Sequence, residues 1–163
     1  YIKAKDPNQQ FDLEKQYKDI LPITEHNPII VFDLREDVVF HDGHQFDSGD
    51  VLFTYNSIMN PKGTSPRKSD YEPVKSVEIL GSHKIKFTYK RLFSPAFGSW
   101  AMGILPEHLL NEKKLKQEAL QRGRDPEKFI MRDSNFSRNP IGTGPYKFVD
   151  WNSDEAILSL IHI

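Results

Sequence analysis

His41 and His44, with Asp42 and Asp47 beside them, are the one cluster in this 163-residue sequence whose side chains could pass for a metal site. The segment reads Phe40-His41-Asp42-Gly43-His44-Gln45-Phe46-Asp47-Ser48-Gly49-Asp50. A zinc-type site needs three or four ligands converging on one point, and here two imidazoles stand across a tight turn with no second pair at ligand spacing. Turn chemistry at Asp42-Gly43 and a helix cap at Asp47 account for every residue in the segment, so no metal is expected. Asp33, Glu36, Asp37 and Asp50 hold carboxylates that could share acid–base work, but solvated strand ends and a cap are the plainer account. Ser65, Ser94 and Ser99 lack the turn that lifts an acyl-transfer nucleophile out of a sheet. The sequence points to no catalytic site and no cofactor.

Two other stretches invite a binding role. Asn139-Pro140-Ile141-Gly142-Thr143-Gly144-Pro145-Tyr146 places two glycines around a threonine, then a proline, then an alternating run. It describes a tight loop feeding a strand, with at least one of Gly142 and Gly144 expected at positive φ. A phosphate cradle would need a Gly-Lys-Ser/Thr and a following helix, and neither is present. Between Leu92 and Leu105, Phe93, Phe97, Trp100, Met102 and Ile104 crowd together among Pro95, Gly98 and Gly103. Such a run is either core packing or a loop lining a ligand cleft.

Composition sets the frame for these residues. Cysteine is absent, which rules out disulfides and thiolate metal sites and fits either a cytosolic or an extracytoplasmic address. The net charge of −1 offers no basic field for nucleic acid. No apolar run is long enough to span a membrane, and no secretory leader pattern follows Tyr1.

The elements that must position these residues are legible in the hydrophobic pattern. Residues 1–28 are polar and interrupted by Pro7, Pro22 and Pro28, which predicts an irregular segment. Ile30, Phe32 and Leu34 alternate with polar neighbours as a half-buried strand, which Val38 and Phe40 extend to the Asp42-Gly43 turn. Asp47 caps a helix from about Ser48 to Asn60 that buries Val51, Tyr55 and Ile58, with Asp50 completing a capping box. Residues 61–73 read as a loop. Strands near 75–80 and 84–90 form a hairpin around Gly81-Ser82-His83, with Lys84, Lys86, Thr88 and Lys90 on its wet face. Pro106-Glu107 opens a helix that ends by Gly123, and Asp125-Pro126-Glu127 opens another. Strands at 146–151 and 156–161 close the chain. The expectation is a single α+β domain over 29–163, with one small, mainly antiparallel or mixed sheet and helices on one face.

In their order and separation, the block Phe32-Asp33-Leu34-Arg35, Phe40-His41-Asp42-Gly43, Asp50-Val51 and the later Gly142-Thr143-Gly144-Pro145-Tyr146 resemble the extracytoplasmic solute-binding proteins of peptide and nickel ABC importers, solute-binding family 5. The resemblance spans roughly 29–160. It makes Asp42, Gly43, Asp50, Gly142, Gly144, Pro145 and Tyr146 the structural motif of the domain. It also implies that solute contacts come from the loop of Phe97, Trp100 and Met102. Family members have two lobes that close on a solute. The present chain resembles the extra subdomain of the larger lobe in a type II periplasmic-binding-protein-like fold, and is read as a fragment of a longer protein.

The resemblance therefore implies a non-catalytic receptor, periplasmic or anchored outside the membrane, that delivers a small solute to an ABC permease. A peptide is the foremost solute class. A cytoplasmic transcriptional regulator carrying the same solute-binding domain is the alternative. The fragment alone is expected to bind solute poorly and to self-associate through aromatic surface left uncovered.

Overall fold

Alternation of apolar and polar residues produces the central sheet of the computed structural model, which describes residues 27–61, 63, 65–152 and 156–161. Strand β1 (Ile29–Asp33) and the hairpin of β2 (Val74–Gly81) and β3 (Lys84–Tyr89) form a three-stranded antiparallel sheet in the order β1-β3-β2. β3 is central, pairing antiparallel with β1 on one edge and β2 on the other. Ile85, Phe87 and Tyr89 are buried to 1% exposure or less, while Lys84 and Lys86 reach across the other face to Asp33 and Glu78 at 2.8 and 2.7 Å. Such exposed pairs set the wet side more than they stabilise it.

Helix α1 (Ser48–Met59) packs Val51, Leu52 and Tyr55 on the inner face of that sheet. Its start is fixed as the sequence predicts. The Asp47 carboxylate accepts from the amides of Gly49 (2.7 Å) and Asp50 (3.3 Å), and the Asp47 amide donates back to Asp50 at 3.1 Å. Ser48 then pins the helix to the hairpin turn, its amide donating to the Ser82 carbonyl and its hydroxyl to that of Gly81, both at 2.8 Å. Of the residues expected to be buried by α1, Val51 is fully buried and Tyr55 and Ile58 partly so.

Short helices complete the packing: α2 (Lys68–Tyr71), α3 (Ala96–Ser99), α4 (Glu107–Leu110) and the longer α5 (Glu112–Gln121). α5 ends in a Schellman cap. Gly123 takes φ +64°, and the amides of Gly123 and Arg124 return to the carbonyls of Leu120 (3.1 Å) and Ala119 (2.9 Å). Two 3₁₀ turns, Met131–Asp133 and Asn135–Ser137, lead toward the last strands.

Several expectations need correction. The strands do not share one sheet: among the described residues β4 (Tyr146–Asn152) and β5 (Ala156–Ile161) pair with each other as a separate two-stranded ribbon. Val38 and Phe40 do not prolong β1. A single bridge between Val39 and Gln45 closes the 41–44 turn, and Phe40 is 1% exposed. The 61–73 loop contains α2, whose Tyr71 is fully buried, a tertiary contact outweighing weak local propensity. The helix from Pro106 breaks at Asn111, which caps α5 by accepting from the Lys114 amide at 3.0 Å. Asp125-Pro126-Glu127 makes a turn closed by the Asp125 carboxylate on the Glu127 amide at 3.0 Å, not a helix. The irregular 1–26 segment and the 153–155 link lie outside the described residues.

Candidate functional site

The two segments that stood out in the sequence meet in space. The His41 amide donates to the Gly142 carbonyl at 3.0 Å, and the His41 Nε2 pairs with the Gly144 carbonyl at 2.7 Å. Lys147, one residue past Tyr146, donates to the His41 carbonyl at 3.4 Å. The loop at 142–145 is thus held by its own carbonyls against the 41–44 turn. Neither Gly142 nor Gly144 lies in the left-handed region, contrary to expectation. The reason is geometric: the loop is positioned by hydrogen bonds from His41 rather than by a tight reversal. The positive φ sits instead at Gly43 (+88°), inside the turn, where a Cβ would be strained although nothing lies within 4 Å.

A second junction went unseen in the sequence. His108 of α4 sets its Nε2 against the Asp42 carboxylate at 2.7 Å and stacks on His44 with ring centroids 3.8 Å apart. Burial pushes the Asp42 carboxyl up, but the His108 hydrogen bond and the His44 amide outweigh it and hold it below the usual carboxylate range. The His108 Nδ1 is buried without a hydrogen-bond partner among the described residues, and the Asp42–His108 pair braces the 41–44 turn against α4. Among the described residues, no group of three or more His, Asp or Glu is arranged to hold a metal ion. His41 and His44 serve different partners, the 142–144 loop and His108.

Asp50 joins the same region from beneath. At 3% exposure, its carboxylate accepts from its own cap amide and, at 2.9 Å, from the amide of Glu107 at the start of α4. Burial raises its pKa above the ordinary range despite those two amides. One turn later the Thr54 hydroxyl donates to the Asp50 carbonyl (2.8 Å) and accepts from the Leu105 amide (2.9 Å). A polar ladder on α1 therefore fixes where the 104–108 segment lies.

The aromatic stretch divides its residues between two roles. Trp100 is wedged against Phe87 (centroids 3.9 Å), Tyr71 (4.9 Å) and Phe32 (5.7 Å), with its indole N–H donating to the Tyr89 hydroxyl at 2.8 Å. Tyr71 donates to the Ser99 carbonyl and contacts the Met102 sulfur at 2.9 Å. Arg67 holds the same backbone, donating to the carbonyls of Ser99 (2.7 Å) and Ala101 (3.5 Å). Phe97, by contrast, is 76% exposed on α3. The segment sets Phe93, Trp100 and Ile104, each partly buried, against the core and turns Leu92 and Phe97 outward. Arg67, Tyr71 and His108, which organise it and its neighbour, are isolated in sequence and carry no local signal. Among the described residues no helix is long and apolar enough to cross a membrane.

Comparison with known proteins places this arrangement. The family model described as bacterial extracellular solute-binding proteins, family 5 Middle, matches residues 23–159. The oligopeptide-binding protein AppA of Bacillus subtilis is 31% identical over 129 residues, covering 76% of this chain and 21% of that protein. NikZ from Campylobacter jejuni, solved in complex with Ni(L-His), superposes with a TM-score of 0.68 at 33% identity over 85% of this chain and 25% of that one. The AppA structure from Bacillus subtilis in complex with a nonapeptide gives 0.62 at 28% identity over 82% of this chain and 25% of that one. The chain thus spans about a fifth to a quarter of the length of these relatives.

Proposed function

Because the chain belongs to the family 5 bacterial extracellular solute-binding proteins, we propose that it forms one wall of a receptor that captures an oligopeptide, or a related small solute, outside the cytoplasm and hands it to an ABC permease. The observation that carries this reading is the match over residues 23–159, which takes in both the 41–44 turn and the 142–145 loop. The work is recognition, not bond making.

Within that receptor Phe97 meets the solute, while Trp100 and Met102 support it from behind. A side chain 76% exposed on backbone clamped by Arg67 and Tyr71 offers contact area at little ordering cost. A chain matching a quarter of its relatives holds only part of such a cleft, so it binds solute weakly alone. With Leu92 at 81% exposure and Phe97 also exposed, the isolated chain self-associates at high concentration.

The test is calorimetric titration of the full-length protein with mixed oligopeptides and, separately, with nickel–histidine. Saturable peptide binding that weakens about tenfold in Phe97→Ala, a loss of roughly 1.4 kcal/mol, is the expected result. Binding of nickel–histidine with no response to any peptide would overturn the peptide assignment. Phe97→Ala binding as tightly as wild type would remove Phe97 from the site.

A further inference from the structure

We propose that the chain carries a second site, an arginine-lined cleft that binds a small dianion of the phosphate class. Arg122 and Arg124 just past α5, Arg132 in the first 3₁₀ turn and Arg138 after the second line one cleft of 380 Å³. Two of the four are engaged. Arg122 donates to the Asp133 carbonyl at 2.9 Å and pairs with Glu118 at 2.7 Å, and Arg124 stands 3.8 Å from the Asp133 carboxylate. The guanidiniums of Arg132 and Arg138 have no hydrogen-bond or ion-pair partner among the described residues.

The charge balance defines the ligand. Four guanidiniums face two carboxylates, so two positive charges in the cleft are unmatched. Like charges lining one cleft repel one another, and an anion bound there relieves that repulsion. A phosphate or phosphomonoester supplies two negative charges and the paired oxygens that a guanidinium fork engages bidentately. The cleft is also built rather than incidental. The hydroxyls of Ser134 and Ser137 both donate to the Met131 carbonyl (2.7 and 3.2 Å), and the Asn135 amide donates to Glu118 at 2.8 Å. These bonds hold the two 3₁₀ turns, and therefore Arg132 and Arg138, against α5. A net charge of −1 for the whole chain disfavours an extended polyanion such as nucleic acid.

The chain is titrated with inorganic phosphate and with pyrophosphate at low ionic strength, by calorimetry and phosphorus NMR, and is separately floated with phosphatidylglycerol vesicles. Saturable one-to-one phosphate binding in the millimolar range or tighter is expected. It should fall about tenfold for each of Arg132→Ala and Arg138→Ala, as expected on losing a charge-assisted hydrogen bond. Both side chains are exposed, so the variants should keep the wild-type far-UV spectrum and melting temperature. Arg132→Lys and Arg138→Lys retain charge but lose the fork, and should bind with intermediate strength. Phosphate binding with no vesicle capture identifies a free phosphate or phosphomonoester as the ligand. Phosphate binding plus vesicle capture, both lost in the double alanine variant, identifies a lipid headgroup using the same cleft. Absence of saturation, undiminished binding in the double variant, or vesicle capture without phosphate binding would each overturn the proposal.

Discussion

Replacing Asp50 by alanine removes the acceptor at the centre of the polar ladder on α1. Its carboxylate, 3% exposed, takes the amide of Asp47 at 3.1 Å and that of Glu107 at 2.9 Å. Truncation leaves both donors without a partner in a region closed to water, at roughly 1–3 kcal/mol each. Relief of burying a carboxylate offsets part of this, since burial already holds the Asp50 pKa above its ordinary value. A net loss of about 2–4 kcal/mol follows, or roughly 6–12 °C in melting temperature at about 3 °C per kcal/mol. Asp50→Asn keeps one acceptor but turns an amide donor toward the other N–H, and should lose about half as much. The pH dependence has a definite sign. A pKa raised on folding contributes stability that is fully present below the ordinary carboxylate pKa and is lost as pH rises through the folded value. The deficit of Asp50→Ala against wild type should therefore be widest in acid and narrow toward neutrality. Denaturant titration followed by circular dichroism, repeated across pH 3–8, reads all three quantities. Asp50→Ala within about 0.5 kcal/mol of wild type at every pH would refute the reasoning, because a surface change does no more than that.

Gly43→Ala should cost about 1–2 kcal/mol for its left-handed backbone, whereas Gly142→Ala and Gly144→Ala should be near neutral in thermal melts. A large loss at Gly144 would mean that the loop is under tension. Asp42→Asn should destabilise the chain at neutral pH. Because the folded pKa of Asp42 is depressed, its contribution is present above about pH 4 and is lost as pH falls through the folded value, so the difference from wild type should close in acid. Trp100→Ala should cost about 3–5 kcal/mol, since it empties a site against Phe87 and Tyr71 and strips the Tyr89 hydroxyl of its indole donor. Phe97→Ala should leave the melting temperature within a degree or two, which separates a binding role from a structural one.

The local elements were legible because their causes are local. Alternation over 84–89 encodes a strand wet on one side, Asp47 and Asp50 encode the start of α1, and Gly123 encodes the end of α5. Each depends on side chains within four residues of one another. The motif pair around Asp42-Gly43 and Gly142-Thr143-Gly144 was likewise visible as a resemblance, and the fold brings the two together through His41. What the sequence left open was partnership at a distance. His108 finds Asp42 across 66 positions, and Arg67 finds the Ser99 carbonyl across 32. Tyr71 is buried where Tyr55 of α1 and Trp100 pack against it. The separation of β4 and β5 from the main sheet is of the same kind: alternation says that a strand pairs, but not with which neighbour. The aromatic run from 93 to 104 shows the division within a single stretch, for spacing marks Phe97 and Trp100 alike as large apolar residues. Tertiary packing sets Trp100, partly buried, against the core and leaves Phe97 facing out, because burial is settled by the elements that arrive from elsewhere in the chain.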